Sequence, residues 1–282
     1  METFWRWWQH LPENIDPVIF QIGSFRLQYY GLMYLVAFAV TYFLAVYRLK
    51  NEAHRTFTID HLQGLMTAVI VGLLIGARLG YVIFYNPSYY ISNPLEIILP
   101  FEFRGGIRFT GISGMSYHGG LIGGFLALVY YSSKYGLGVR NSADLLAPCG
   151  AAGYTFGRLG NFINGELWGR MTNAPIGMYF PDASGGLRHP SQLYEAFGEG
   201  ILLFVFLWSL RHRVKTPGAM FALYLIGYGT VRFVIEFFRE PDLHLGFIFF
   251  WLTMGQILCL AMIAAGIALY LLLRRYAQRN SH

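Results

Sequence analysis

The sequence has 282 residues, of which 55% are hydrophobic and 13% are charged, and its mean hydropathy is +0.42. Water-soluble domains usually carry about 25% charged residues, so the composition excludes an ordinary soluble domain and predicts one polytopic membrane domain over residues 1–282. The formal net charge of +6 is explained by basic loops that face anionic lipid, and no nucleic-acid partner is expected.

At the N-terminus, Trp5, Trp7 and Trp8 surround Arg6, a pattern typical of an aromatic anchor at the membrane interface. Apolar windows follow, each close to the ~20 residues that a helix needs to cross the hydrocarbon core. The windows cover residues 28–47, 62–85, 118–133, 144–164, 192–210, 218–238 and 247–273. This pattern predicts an all-α integral membrane protein with about seven transmembrane helices.

Lysine and arginine indicate the orientation, because short loops rich in these residues stay in the cytoplasm. One side of the predicted spans carries Arg48, Lys50, Arg55, Lys134, Arg140, Arg211, Arg213, Lys215, Arg274, Arg275 and Arg279. The opposite side carries Arg6, Arg26, Arg104, Arg108, Arg170, Arg188 and Arg239. The N-terminus is therefore predicted to lie outside and the C-terminus in the cytoplasm. The outer segments, about 86–117 and 165–191, are too long for simple turns and are expected to form small extracytoplasmic structures.

The arginines inside predicted spans are Arg78, Arg158 and Arg232. A basic side chain at the centre of a membrane helix costs at least ~2.5 kcal/mol on insertion scales, so each needs a partner or a polar ligand. Tyr228, Arg232 and Glu236 are spaced four residues apart and share one helix face. This stripe is either a structural Arg232–Glu236 pair or the wall of a wet cavity that opens outward, with Arg239 at its mouth. The role of Arg78 is left open between a structural arginine and one that gates lipid entry.

The fourth window ends in a polar run, GRLGNFINGELWGR at residues 157–170. Arg158 and Asn161 are three residues apart and therefore neighbours on one face, and Glu166 follows at the outer end. The glycines of this helix, which are expected to let another backbone approach closely, are Gly150, Gly153, Gly157 and Gly160. Packing alone does not explain the polar groups, because each must be satisfied away from water. Arg158 and Asn161 are therefore predicted to be functional.

A histidine stands where the third window begins, in the run GMSYHGG at residues 114–120. His118 is either an interfacial hydrogen-bonding residue or a proton acceptor, because an imidazole can take up a proton near neutral pH. Gly119 and Gly120 would let a lipid headgroup or a peptide come close to the backbone. Tyr30, at the outer end of the first window, could add a phenol to the same cavity or belong to the aromatic belt.

Arginines that converge with tyrosine and asparagine in a cavity of low dielectric are suited to a phosphate, because the guanidinium fork matches phosphate oxygens and keeps its charge. In a membrane, the obvious phosphate is a phospholipid headgroup. The sequence has no serine-nucleophile motif, no metal-ligand spacing and no glycine-rich nucleotide loop, which disfavours a covalent hydrolase, a metalloenzyme and an NTP-driven pump. Cys149 and Cys259 lie in apolar windows and are predicted to be buried hydrophobic residues. Displacement of a phosphate leaving group by an external nucleophile fits what remains.

Several ordered motifs of the chain resemble those of the bacterial prolipoprotein diacylglyceryl transferases over nearly its whole length. The most specific is the run at residues 157–170. The others are DPVIF at 16–20, YGLMYL at 30–35, GARLGYVIFY at 76–85, MSYHGGLIG at 115–123, RHPSQLYE at 188–195 and GYGTVRFVIEFFREPD at 227–242. No motif of the family is missing, although the outer segment 171–187 is short.

The resemblance implies a seven-helix fold with phosphatidylglycerol as the lipid donor and the lipobox cysteine of a prolipoprotein signal peptide as the acceptor. The products would be the thioether-linked diacylglyceryl prolipoprotein and glycerol 1-phosphate. The resemblance implies no metal and no organic cofactor. It also implies a multi-pass protein of the bacterial cytoplasmic (inner) membrane, with its active site on the extracytoplasmic side.

On this resemblance, the acceptor thiolate attacks the glycerol carbon that bears the phosphate. His118 is the candidate base, and Arg158 and Arg232 bind the phosphate and stabilise the leaving group. The supporting residues would be Tyr30 and Asn161 for positioning the headgroup, Glu166 and Glu236 for orienting the arginines, Tyr228 beside Arg232, and Arg239 for binding the lipid. An alternative makes Arg232, held by Glu236, the activating group and His118 a positioning residue, and the sequence does not choose between them.

The rival from another class is a phospholipid-binding channel or transporter, in which the buried arginines line a translocation path. That hypothesis explains Arg158 and Arg232 equally well, but it predicts a charged path that continues to the cytoplasmic side. It does not explain why the polar residues concentrate toward the outer leaflet. A structural membrane scaffold is a third hypothesis, in which loss of either arginine would lower stability before it lowered any turnover.

Overall fold

The computed structural model describes residues 2–23, 25–52, 57–99, 101–102, 108–109, 114–240, 247–249 and 252–279. Arg55 and Arg104 of the predicted loop charges, and residues 241–242 of the last motif, lie outside this described part. The helices there are α1 (Glu2–Gln9), α2 (Tyr29–Asn51), α3 (Ile59–Phe84), α4 (Pro87–Ser92), α5 (Tyr117–Lys134), α6 (Val139–Ile163), α7 (Ser191–Glu195), α8 (Leu203–Leu210), α9 (Ala219–Ile235) and α10 (Met254–Arg279).

Shorter elements complete the described part of the chain. A π-helix, Ala196–Leu202, joins α7 and α8 into one continuous helix, and 3-10 turns cover Pro12–Asn14 and Pro94–Ile97. The strands are β1 (Val18–Ile22), β2 (Phe25–Gln28), β3 (Phe101–Glu102), β4 (Arg108–Phe109), β5 (Phe247–Phe249) and β6 (Leu252–Thr253). They form the two-stranded pairs β1–β2, β3–β4 and β5–β6.

The long helices coincide with the seven predicted windows, if Ser191–Leu210 is taken as one helix. The largest difference is in the last window, because α10 begins at Met254 and residues 247–249 and 252–253 are strands. The described helices that are long and apolar enough to cross a membrane are Tyr29–Asn51, Ile59–Phe84, Ser191–Leu210 and Met254–Arg279. The chain is therefore a mainly helical membrane protein, while the count of seven spans and their orientation stay predictions.

The chain divides into two compact units. The first comprises Met1–Phe20, Leu27–Ala45 and Ala143–His282, and the second comprises Gln21–Arg26 and Val46–Ser142. Each unit has its own packed helices, which are described separately below. The single domain over residues 1–282 stays a prediction.

The second unit is built on the packing of α3 against α5, whose backbones meet at glycines. A Cβ added to Gly76 would overlap the carbonyl oxygen of Gly119 and lie 2.8 Å from the Cα of Gly123. A Cβ added to Gly119 would overlap the carbonyl oxygen of Gly76 and lie 2.9 Å from the Cα of Gly80. The prediction that Gly119 leaves room for a lipid headgroup or a peptide is therefore wrong, because α3 fills that space.

Gly76→Ala is expected to destabilise the protein by about 1–3 kcal/mol, because the new methyl meets backbone atoms that cannot rotate away. The matched control is Gly150→Ala in α6, where no described atom lies within 4 Å of the added Cβ. That control should be neutral or stabilising by up to about 1 kcal/mol, since alanine favours a helix more than glycine does. Thermal unfolding in detergent measures both, and equal midpoints for the two variants would contradict the close α3–α5 contact.

Arg78, whose role the sequence left open, binds the segment between α4 and α5 to α3. Its guanidinium donates to the backbone carbonyls of Ile97 (2.9 Å), Gly114 (3.3 Å) and Glu96. The guanidinium carbon also lies 4.9 Å from the centre of the Tyr90 ring, within cation–π range. Since these bonds hold both ends of the segment between α4 and α5, this geometry is that of a structural arginine.

In the first unit, α6 packs closely against α2 at two of its four glycines. A Cβ added to Gly153 would lie 2.7 Å from the carbonyl oxygen of Ala37, and Gly160 also faces side chains of α2. No described atom lies within 4 Å of a Cβ added to Gly150 or Gly157. The prediction that another backbone approaches closely is therefore confirmed at Gly153. It is wrong at Gly160, which meets side chains, and at Gly150 and Gly157.

The core of the first unit lies between α6, α8 and α9. Its buried cluster consists of Ala147, Ala151, Leu203, Leu207 and Met220. Asp144 accepts hydrogen bonds from the backbone N–H groups of Gly218 (2.6 Å) and Phe221 (2.8 Å), which fixes the start of α9. The thiols of Cys149 and Cys259 are buried, as predicted.

Candidate active site

The helix Ser191–Leu210 carries two acidic side chains, Glu195 and Glu199, which have no solvent-accessible surface. Glu195 ends α7, and Glu199 lies in the π-helix that follows. A buried carboxylate in an apolar helix is tolerated only when it is paired. π-turns are rare and occur frequently at functional sites, so the partners of these two carboxylates locate the candidate site.

Glu195 lies at the centre of three arginines that reach it from different parts of the chain. Arg158 of α6 places its Nε 2.6 Å from Glu195 Oε2. Arg232 of α9 and Arg239, which follows α9, place their Nη1 atoms 2.8 Å and 2.6 Å from Glu195 Oε1. One carboxylate neutralises only one charge, and two of the three guanidinium groups also contact the carboxylates of Glu199 and Glu236.

Arg158 is held on its other sides by polar residues of its own helix. Its Nε donates to the hydroxyl of Tyr154 (2.6 Å), and its Nη1 donates to Asn161 Oδ1 (3.1 Å). Asn161 Nδ2 in turn donates to Glu166 Oε1 (2.7 Å). The prediction that Glu166 orients an arginine needs correction, because the described contact of its carboxylate is with Asn161, and it acts on Arg158 only through that amide.

Arg232 contacts two more carboxylates. Its Nη1 lies 3.5 Å from Glu199 Oε1, and its Nη2 lies 3.4 Å from Glu236 Oε2. Glu236 is fixed from the other side, where its Oε1 accepts a hydrogen bond from the hydroxyl of Thr253 (3.2 Å). A Cβ added to Gly255 would lie 2.5 Å from the same oxygen, so the backbone at the start of α10 lies in close contact with the Glu236 carboxylate.

Exposure separates the two charge types in this cluster. The side chains of Arg158, Arg232 and Arg239 are 14%, 16% and 16% exposed, whereas those of Glu195 and Glu199 are 0% exposed. The accessible face of the cluster is therefore formed mainly by the arginine side chains, since Glu236, at 9% exposure, is also less accessible than any of them. Such a face is suited to an anion with several oxygens, such as a phosphate.

A short backbone network outside the helices fixes the position of Arg239. The backbone N–H of Arg170 donates to the carbonyl of Phe238 (2.9 Å), and its Nε donates to the carbonyl of Arg239 (2.7 Å). The N–H of Gly169 donates to the carbonyl of His189 (2.8 Å). A Cβ added to Gly169 would overlap the Phe238 carbonyl oxygen, so this close approach requires glycine.

Burial lowers the pKa of His189, whose Nδ1 lies 3.1 Å from the hydroxyl of Tyr194. As the pH falls, the unfolded chain therefore takes up this proton first, near its ordinary pKa of about 6.5. The contribution to stability is complete above about pH 7 and is lost as the pH falls through 6.5 toward the folded-state value. His189→Gln is expected to reduce the fall in thermal midpoint between pH 7.5 and pH 5, whereas a variant of exposed His212 should keep the wild-type fall. Equal falls in both variants would contradict the assignment.

Comparison with known proteins identifies the family. A family model described as prolipoprotein diacylglyceryl transferase matches residues 17–272. The chain belongs to this family. A phosphatidylglycerol-prolipoprotein diacylglyceryl transferase of Chlorobaculum tepidum is 52% identical over 274 residues, covering 95% of this chain and 93% of the relative. Proteins of the same name from Bordetella parapertussis and Oleidesulfovibrio alaskensis are each 45% identical, over 94% and 90% of this chain and 98% and 91% of their own lengths.

Membership in this family makes the chain an enzyme, a transferase of lipoprotein modification. Most of the site residues predicted from the sequence lie in the first unit, in or beside the arginine cluster. They are Tyr30, Arg158, Asn161, Glu166, Tyr228, Arg232, Glu236 and Arg239. The Arg232–Glu236 contact is present at 3.4 Å, but the contact of Arg232 with Glu195 is shorter, at 2.8 Å.

Two of the predicted residues lie at the edge of the site, and a third belongs to the other unit. The Tyr30 hydroxyl donates to the hydroxyl of Tyr34 (3.2 Å), and the Tyr228 ring stands edge-on to Tyr154 at 5.9 Å. His118 belongs to the second unit, where it lies exposed in the first turn of α5. Its role as a base in the transferase stays a prediction.

The sequence analysis missed Glu195, Glu199 and Tyr154. A signal was present, because an acidic residue in a membrane helix is as costly as a basic one, and both glutamates fall within the predicted window 192–210. The arginines in predicted spans need partners, and the only glutamates considered for that role were Glu166 and Glu236. The actual partners come from another helix, and helical spacing does not reveal them.

Proposed function

We propose that this transferase moves the sn-1,2-diacylglyceryl group of phosphatidylglycerol to the lipobox cysteine thiol of a prolipoprotein and releases glycerol 1-phosphate. The observation that carries the proposal is the accessible face formed by Arg158 and Arg232, whose guanidinium groups are backed by the fully buried Glu195. The names of the relatives, which specify phosphatidylglycerol and prolipoprotein, support the same substrates.

The reaction is a displacement at the glycerol carbon that carries the phosphate. The acceptor thiol loses its proton, since the thiolate is the nucleophile. A sulfur–carbon bond forms, and the carbon–oxygen bond to phosphate breaks, with its electron pair passing to the phosphate oxygen. Arg158 and Arg232 stabilise the negative charge that grows on this leaving group, which is an electrostatic effect of preorganised donors.

The thiol proton has two candidate routes. His118 can accept it directly, or Arg232, held by Glu195 and Glu236, can lower the pKa of the thiol by its positive charge, with His118 then serving to position substrate. His118→Gln distinguishes the routes, because loss of a base removes about 100- to 10,000-fold of the rate. Raising the pH should restore part of that loss if deprotonation limits the reaction.

We further propose a single domain of seven membrane spans in the bacterial cytoplasmic membrane, with the N-terminus outside and the C-terminus in the cytoplasm. The lysine and arginine distribution supports this orientation. Glu166 and Arg170 follow the C-terminal end of α6, which this orientation would put on the outer side. The arginine cluster would then face the extracytoplasmic side, where a secreted prolipoprotein presents its cysteine. A channel or transporter for phospholipid is not favoured, because the family is one of transferases.

A transfer assay tests the function directly. Purified protein in detergent is mixed with phosphatidylglycerol and a lipobox peptide, and the thioether product and glycerol phosphate are followed together. We expect the two products in equal amounts, and no product with a peptide in which serine replaces the cysteine. Folded protein that binds phosphatidylglycerol but forms neither product would contradict the proposal and favour a transporter.

A further inference from the structure

Two buried carboxylates connect Arg158 with Arg232, and they do so by different routes. The direct route is Glu195, whose Oε2 lies 2.6 Å from Arg158 Nε and whose Oε1 lies 2.8 Å from Arg232 Nη1. The second route passes through Glu199 and Tyr154. Nothing in the proposed reaction uses either residue of this second route, although both are held in the interior of the first unit.

The second route is a continuous chain of hydrogen bonds. Arg158 Nε donates to the Tyr154 hydroxyl (2.6 Å), which donates to Glu199 Oε2. Arg232 Nη1 donates to Glu199 Oε1 at 3.5 Å. The guanidinium carbon of Arg158 also lies 4.8 Å from the centre of the Tyr154 ring, so the tyrosine contacts this arginine through both its ring and its hydroxyl.

A single bridge fixes the distance between two guanidinium groups but leaves each plane free to turn about its contact. The second bridge meets the same two nitrogens, Arg158 Nε and Arg232 Nη1, from another direction and so fixes their spacing. The contact of Arg232 Nη2 with Glu236 and the hydrogen bond of Arg158 Nη1 limit the rotation of each plane. Arg158 thus has its Nε held by Tyr154 and its Nη1 held by Asn161. The spacing and the tilt of both guanidinium planes are therefore determined before any phosphate binds.

We propose that Glu199 and Tyr154 are positioning residues. They hold Arg158 and Arg232 at one spacing, so that both guanidinium groups bind the same phosphodiester. The inference rests on the proposed function, because the phosphate is that of the lipid donor. Glu199 lies four residues beyond Glu195 on one continuous helix, so both carboxylates face the same cluster.

The chain of hydrogen bonds predicts that substitutions of Tyr154 and Glu199 lower activity through the same defect. Tyr154→Phe removes one hydroxyl and keeps the ring over Arg158, and Glu199→Gln keeps the shape and removes the charge. Each is expected to lower kcat about 100-fold, the effect of misplacing a reacting group by about 1 Å, while KM for phosphatidylglycerol changes less than about threefold because the charge of both arginines remains. The double variant should be no more than about threefold slower than the slower single variant, because both changes break one chain.

The experiment measures kcat, KM and thermal midpoint for wild type, both single variants and the double variant with phosphatidylglycerol and a lipobox peptide. Tyr276→Phe, an exposed tyrosine near the end of α10, is the matched control and should match wild type. Losses that multiply in the double variant, or a single variant within twofold of wild-type kcat, overturn the inference. If Glu199→Gln does not fold, Tyr154→Phe decides the question through its kcat and KM alone. A wild type without transfer activity contradicts the proposed function instead, so the two failures are distinguishable.

Discussion

Arg232→Lys is expected to lower kcat/KM for diacylglyceryl transfer about 100- to 1,000-fold, the usual loss when one preorganised donor to a developing oxyanion is removed. Lysine keeps the positive charge beside Glu195 and Glu199, but its ammonium is a point charge. It cannot face these carboxylates and present a fork of N–H groups to a phosphate at the same time. Parallel measurements of thioether product and of thermal midpoint in detergent separate activity from folding.

Lysine is a better replacement than alanine here. An alanine at position 232 would leave buried Glu199 without its arginine partner, and removing one member of a buried pair costs about 3–5 kcal/mol. Loss of folding would then be mistaken for loss of catalysis. Arg275→Lys, at an exposed position near the end of α10, is the matched control. A fully active Arg232→Lys variant would mean that the phosphate binds elsewhere, and activity that falls only in parallel with the thermal midpoint would favour a structural role.

Hydropathy and local spacing predicted the parts of this molecule that depend on nearest neighbours in the sequence. The helices formed at the windows because long apolar runs must satisfy their own backbone groups in lipid. The predicted start of the last helix, residue 247, was wrong. Residues 247–249 and 252–253 are strands, but they are as apolar as the helix that follows, and hydropathy does not distinguish a short strand from a helix. The π-helix Ala196–Leu202 left no recognisable pattern in the sequence.

Prediction of the candidate site was likewise limited to contacts between residues that are close in the sequence. The arginines were found because a charge within an apolar window is conspicuous, and the first partner assigned to Arg232 was Glu236, four residues away. Tertiary packing instead gives Arg232 its shortest contact with Glu195, on a helix that the sequence spacing cannot relate to it. At Gly119 the error was of another kind. The space beside this glycine was predicted to admit a ligand, but the backbone of α3 occupies it.

Glu195→Gln is expected to cause the largest loss of stability of any single substitution in the site. Its carboxylate is fully buried and lies 2.6–2.8 Å from three guanidinium groups. The amide keeps the shape of the side chain but removes the negative charge, so only Glu199 and Glu236 remain to offset the repulsion among Arg158, Arg232 and Arg239. Breaking a buried ion pair costs about 3–5 kcal/mol, which corresponds to a fall in thermal midpoint of roughly 10 °C for a chain of this size. Glu166→Gln, which loses a contact with an amide rather than with arginines, should lower the midpoint much less.

Added phosphatidylglycerol distinguishes loss of charge from loss of packing in Glu195→Gln. If the three arginines are left only partly compensated, the anionic headgroup replaces part of the missing charge and stabilises the variant by mass action. The lipid should then raise the midpoint of the variant more than that of wild type, and an uncharged lipid such as diacylglycerol should not. An equal rise in both proteins would mean that the phosphate does not meet these arginines, and it would contradict the assignment of the cluster as the headgroup site.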